Sequence, residues 1–132
     1  MTPPSAIIAP AYQGIDANRI LANIASVESR NNPKSENAKT GARGLYQFKP
    51  ETWADETDLP FDDAFDPVKA FPVARRHLFR LRWSLLEARI EPTVYNLALA
   101  WERGADGVIL HKYQPKEAKD RAQRVENLYL DR

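Results

Sequence analysis

The sequence predicts a mainly α protein with a single domain, and three observations carry that prediction. Its 132 residues leave room for one hydrophobic core and five to seven helices. Apolar side chains recur at three- and four-residue steps along most of the chain, the period of an amphipathic helix. No stretch with strand-like alternation runs beyond four residues, and no internal repeat is present.

Taken in order, Met1 to Gly14 holds Pro3, Pro4 and Pro10 without a helical period, so residues 1–15 read as an extended arm before a domain over 16–132. Asp16 is a good N-cap for a first helix, because Ile20, Leu21, Ile24, Ala25 and Val27 then share one face. Asn31-Asn32-Pro33 ends that helix near Arg30. Residues 31–44 are polar and read as a loop or small irregular hairpin, and the apolar stretch 44–48 leads to Pro50, which suits the first turn of a short helix through Trp53.

The acidic segment 55–66 reads as loop. Asp66-Pro67 opens a long helix in which Val68, Phe71, Ala74, His77, Leu78, Leu81 and Leu85 form the stripe, with Pro72 either bending it or marking its true start. From Val94 to Trp101 only Asn96 is strongly polar, so this segment is expected as a buried central helix, ended by Gly104 at the C-cap. A last helix, Pro115 to Tyr129, places Ala118, Ala122, Val125, Leu128 and Tyr129 on one side.

Composition excludes several functions. The net charge of +1 gives no electrostatic case for nucleic acid, although residues 1–66 carry 6 basic and 10 acidic groups against 13 and 8 in 67–132. Such a basic half suits an anionic polymer. Without cysteine, thiol nucleophiles, disulfides and zinc–thiolate sites are absent, and the two histidines, His77 and His111, are too few for a histidine metal site. Neither metal nor organic cofactor is expected. No apolar run is long enough to insert in a membrane, and Met1 to Pro10 lacks the basic start and apolar stretch of a signal peptide.

The residue that carries chemistry is Glu28. It falls at the C-terminal end of the first helix, beside Ile24, Ala25 and Val27 and just before a polar loop. Poor solvation and the negative end of the helix dipole both disfavour the ionised carboxylate there, which suits a general acid near neutral pH. By position alone, a solvated or ion-paired helix-end glutamate is the simpler explanation.

The company it keeps changes this. Glu28-Ser29, then Gly41-Ala42-x-Gly44-Leu45-x-Gln47 followed by Pro50 and Thr52, then Ala100-Trp101-Glu102-x-Gly104, then Tyr129-Leu130, occur in that order. The chain thereby resembles the soluble lytic transglycosylase (SLT) domain of glycoside hydrolase family 23, over about residues 17 to 130. Asp66-Pro67 and His77-Leu78 resemble the segment that the family places between its second and third motifs.

The resemblance implies a lysozyme-like fold whose polar loop or hairpin lies beside an active-site cleft, and cleavage of peptidoglycan glycan strands. For Glu28 it implies the role of single catalytic acid, protonating the glycosidic oxygen between N-acetylmuramic acid and N-acetylglucosamine. The same carboxylate then takes the proton of the muramoyl 6-hydroxyl as that oxygen closes on C1, leaving a 1,6-anhydro end.

Around the acid, Ser29 is a candidate substrate contact or a hydroxyl bonded to local backbone. Gln47 offers an amide donor and acceptor to an N-acetyl group or hydroxyl. Gly44 allows close backbone approach or a left-handed turn. Tyr46 stands where the family often has methionine, and either walls the cleft or packs.

The third motif departs from the family form, Ala-Tyr-Asn-Ala-Gly, with Trp101 for the tyrosine and Glu102 for the asparagine. An indole offers only an N–H donor. Tyr95 is an alternative source of the missing hydroxyl, at close to a two-turn spacing from Glu102, but no glycine follows Tyr95-Asn96 as Gly104 follows Trp101-Glu102.

Glu102 also opens a hydrolytic muramidase route with two carboxylates, or simply pairs with Arg103 or Arg43. The acidic residues 55–63 and the arginines Arg75, Arg76, Arg80, Arg82 and Arg89 read as solvated faces, the latter with stems on the core. Trp53, Trp83 and Phe79 read as core, with Trp53 also a candidate sugar platform.

A protein that grips glycan without cutting it is the rival from another class. The expected molecule is a monomer acting in the periplasm or cell wall. Its route there is a phage lysis or virion-associated system, a dedicated secretion system, or a leader already removed.

Overall fold

The computed structural model describes residues 15–131, so all but the last residue of the expected N-terminal arm lies outside it. Five α-helices and a 3₁₀ turn follow in order: α1 (Ala17–Ser29), α2 (Pro50–Glu56), the turn Phe61–Phe65, α3 (Pro67–Glu87), α4 (Val94–Ile109) and α5 (Lys116–Leu130). Between the described residues, the only extended pairing is a set of isolated antiparallel bridges, Glu36 with Arg43 and Arg43 with Phe48. The mainly α class is therefore what folds. None of these helices is long and apolar enough to cross a membrane.

The chain divides into two compact units, one made of residues up to Ile20 with those from Leu78 onward, the other of Leu21–His77. In the second unit, Leu21, Ile24, Ala25 and Val27 are buried, as the stripe on α1 predicts, together with Ala42, Tyr46, Phe48, Trp53, Ala64, Ala70, Val73 and Ala74. Asp16 caps α1 through its carboxylate, which accepts from the Arg19 amide at 3.2 Å.

The stripe on α3 starts two positions after the predicted one. Ala70, Val73, Ala74, Leu78, Leu81 and Leu85 are buried, while Val68 is 81% exposed. Val68 lies about 200° around the helix from Ala70, so it cannot share that face. Pro72 neither starts the helix nor ends it, because α3 already begins at Pro67 and continues through it. The bond it fails to make would go to the Val68 carbonyl, at the exposed start of the helix.

In the other unit, α4 packs against α5. Leu97, Ala98, Leu99 and Ala100 are buried without interruption, so α4 is enclosed on all sides there. The Thr93 hydroxyl accepts from the Asn96 amide and caps the helix, and the Asn96 side chain donates to the Glu91 carbonyl at 2.8 Å. Gly104 does interrupt the helix, at φ 75° and ψ 160°, but a further helical segment to Ile109 follows it, which the sequence reading lacks.

Tyr129 ties the end of α5 to the start of α1: its hydroxyl accepts from the Asp16 amide at 2.9 Å, its carbonyl accepts from the Arg19 guanidinium, and that guanidinium lies 4.3 Å from its ring centroid. Tyr129→Phe keeps the ring and removes one acceptor. Urea unfolding should show a loss of about 0.5–1.5 kcal/mol.

Candidate functional site

Glu28 stands half-buried in the last turn of α1. Two consecutive left-handed residues follow that helix, Arg30 at φ 55° and Asn31 at φ 61°. The Arg30 amide bonds the Ser26 carbonyl and the Asn31 amide reaches back to that of Ala25, which closes the helix end without a glycine. Arginine is uncommon in this conformation, and such strain is held only where surrounding contacts fix it.

Those contacts form a continuous chain into the following loop. Asn32 donates to the Ser29 carbonyl at 3.1 Å, and Ser35 donates to that of Asn32 at 3.1 Å. The Ser35 carbonyl in turn accepts from the Gly44 amide at 2.8 Å and from Gln47 Nε2 at 3.2 Å. The residue after Glu28 is thus linked, bond by bond, to Gln47. Ser35 is the node, and nothing in the sequence pattern singles it out.

Gln47 is itself left-handed at φ 54°, and its side-chain N–H groups are spent on the Ser35 and Gly44 carbonyls. Its Oε1 accepts from no described residue. The expected donor-and-acceptor amide is therefore an acceptor only. Ser29 is buried and its hydroxyl donates to the Ala25 carbonyl at 3.0 Å, the local backbone bond that its type allows.

Gly44 takes φ 84°, and a Cβ there would fall 2.0 Å from the Ala64 carbonyl oxygen in the 3₁₀ turn. Both the conformation and the approach demand glycine. Tyr46 is 6% exposed and meets Phe48 edge-on at 6.3 Å, and burial pushes its phenol above the usual range. It packs, and stays neutral at any working pH.

Arg43 fastens this hairpin to the 3₁₀ turn. Its guanidinium bonds Glu36 at 3.2 Å and Asp62 at 3.0 Å, and lies 4.5 Å and 5.0 Å from the Phe61 and Phe65 ring centroids. Lys69 reaches Asp63 at 3.6 Å. With cations on both aspartates, the acidic segment folds into a turn where a loop is expected from its charge.

One acidic residue of that segment is not solvated. Glu56 is buried at the end of α2, and His77 Nδ1 lies 2.9 Å from its Oε2, with Phe48 beside the imidazole. His77 is therefore the hydrogen-bonded structural histidine that its position suggests. Trp53, 1% exposed, donates its indole N–H to the Leu59 carbonyl and packs on Phe48, which leaves no face for a sugar. Glu56→Ala should cost about 1–3 kcal/mol in thermal or urea unfolding, and Glu56→Gln, which keeps an acceptor, clearly less.

On the other unit, Tyr95 and Trp101 are half-buried along α4. Glu102, its side chain 13% exposed, accepts from Arg121 Nε at 2.7 Å. Its partner is thus neither Arg103, which bonds Gln114, nor Arg43. Of the arginines on α3, Arg75, Arg76 and Arg80 are exposed as expected, whereas Arg82 is 2% exposed and lies against the Phe79 ring. Phe79 and Trp83 are half-buried where core is expected. Among the described residues, no three histidine or acidic side chains group to hold a metal ion.

A model of the transglycosylase SLT domain matches residues 5–123, a span that takes in Glu28, the hairpin to Gln47 and all of α4. The chain belongs to the transglycosylase SLT domain family. This is the lysozyme-like, peptidoglycan-cleaving class that the ordered motifs indicate. No curated protein and no solved structure matches the chain. Within the matched span, Glu28 is half-buried at a helix end, Ser29 bonds the Ala25 carbonyl, Gly44 approaches the Ala64 carbonyl and Tyr46 is buried.

Proposed function

We propose that this SLT domain is a peptidoglycan lytic transglycosylase with Glu28 as its single acid and base. The observation that carries the reading is the placement of Glu28, half-buried on the last turn of α1 and joined through the Ser29–Asn32–Ser35 chain to Gln47, in a chain of this family. A carboxyl group at a helix C-terminus is disfavoured as the anion, so it is suited to hold a proton for the leaving oxygen.

In the first step Glu28 gives its proton to the glycosidic oxygen as the β-1,4 bond from muramic acid to glucosamine breaks. In the second, the Glu28 carboxylate takes the proton of the muramoyl 6-hydroxyl while that oxygen bonds C1. Water takes no part, and the acid is regenerated. Gln47 Oε1 accepts from an N-acetyl N–H or a sugar hydroxyl. Ser29, Gly44 and Tyr46 shape the backbone that presents these groups, and Tyr95, Trp101 and Glu102 supply the third-motif contacts to the glycan. The site of action is the cell wall or periplasm.

A muramidase needs a second carboxylate free to activate water, and Glu102 is the candidate. Its carboxylate is already bonded to Arg121, which occupies it and so supports the single-acid reading. Mass spectrometry of muropeptides released from purified sacculi tests this. Products lighter by one water than hydrolysed ones are expected, whereas reducing ends would replace the reading with a muramidase that uses Glu102.

A further inference from the structure

Four consecutive side chains after α4 are exposed, Leu110 to Tyr113, with Leu110 at 71% and Tyr113 at 82%. The backbone beneath them is fixed. Gly104 redirects the chain, and Gly107 comes so close to Arg103 that a methyl there would lie 2.8 Å from the Arg103 Cβ. Gln114 then staples the tip: its Nε2 donates to the Gly107 and His111 carbonyls, both at 2.9 Å, and its Oε1 accepts from Arg103 Nε at 3.2 Å.

A rigid tip that leaves a leucine and a tyrosine in water is pre-organised for a contact outside its own fold. The Lys112 ammonium stands 5.8 Å from the Tyr113 ring centroid. Lys116 and Lys119 are exposed on the first turn of α5, with Lys116 bonded to Asp120. An aromatic ring beside a lysine suits a ligand that has both an apolar C–H face and a carboxylate. A glycan strand with acidic stem peptides offers both.

We propose that the Leu110–Tyr113 tip, which follows the third motif in sequence, is an accessory peptidoglycan-binding surface, an inference that rests on the transglycosylase reading. Tyr113 and Leu110 take the C–H face of a sugar ring, and Lys112 takes a stem-peptide carboxylate. The tip holds the enzyme on its polymer and takes no part in bond cleavage.

The test uses the full chain carrying Glu28→Gln, so that binding is read without turnover, and sedimentation with purified sacculi. Adding Tyr113→Ser and Lys112→Ser should weaken binding about tenfold. The same two substitutions in the active enzyme should slow release from sacculi at sub-saturating substrate and leave kcat unchanged. Equal binding with and without the tip side chains would overturn the inference and leave the transglycosylase reading standing. So would sacculus binding that persists while binding to phosphatidylglycerol vesicles is lost, which would assign the tip to a membrane. Failure of the unmodified chain either to bind or to cleave sacculi would remove the transglycosylase reading itself.

Discussion

Glu28→Gln should lower muropeptide release from sacculi by about 10²–10⁴-fold. The amide has nearly the shape of the acid, so the end of α1, the Ser29 bond to Ala25 and the chain to Gln47 should persist, with stability within about 0.5 kcal/mol of the parent. What is lost is a proton that can leave for the glycosidic oxygen and a carboxylate that can take one back. Both steps use the same group, so no half-reaction survives. Measurement requires the anhydro product by mass spectrometry alongside a melting curve and sacculus binding. Undiminished release by a folded Glu28→Gln protein would end the proposal that this residue is the acid. Binding by both proteins with release by neither would make the domain a glycan-gripping module.

The second large effect falls on the fold. Gly44→Ala should destabilise by about 3 kcal/mol or more, a sum of left-handed strain and backbone collision. The methyl would meet the Ala64 carbonyl oxygen at 2.0 Å, and neither partner is a flexible side-chain end that could swing away. For a small domain whose whole stability is about 5–15 kcal/mol, that is a large fraction. Urea unfolding would show it as a lowered midpoint at an unchanged slope. If Gly44 instead served mainly to admit substrate, the variant would melt normally and raise KM. A normal midpoint would therefore contradict the structural role.

How far the sequence reached depends on the range of each cause. The α1 stripe and its Asp16 cap were legible because both depend on neighbours within one or two turns. On α3 the stripe was misplaced at its start, since Ala70 and Val73 mark the buried face less conspicuously than Val68 and Phe71, of which the first is exposed and the second half-buried. Arg43, Asp62 and Phe65 make a turn out of an acidic segment only when brought together from either side of α2. The same holds for Glu56, which reads as one more solvated acid until His77 arrives from α3.

For the candidate site, motif order nominates Glu28 and Gln47 independently of fold. The division of labour among their neighbours could not be read in that way. Whether Ser29 and Gly44 face a ligand or face the protein depends on what stands opposite them. For Ser29 that is the Ala25 carbonyl, and for Gly44 it is the Ala64 carbonyl.

The chain of bonds from Ser29 through Asn32 and Ser35 to Gln47 also fixes a length. The links up to Ser35 join backbone groups at a set separation in sequence and the last joins the Gln47 side chain to the Ser35 carbonyl, so an added or deleted residue between Ser29 and Ser35 would put the links out of register. The exposed turn at Lys39 and Thr40, closed by the Asn37 side chain, is outside that constraint. Variation in length is thus confined to one end of the hairpin, and the stretch from the acid to Ser35 behaves as a ruler whose divisions are hydrogen bonds.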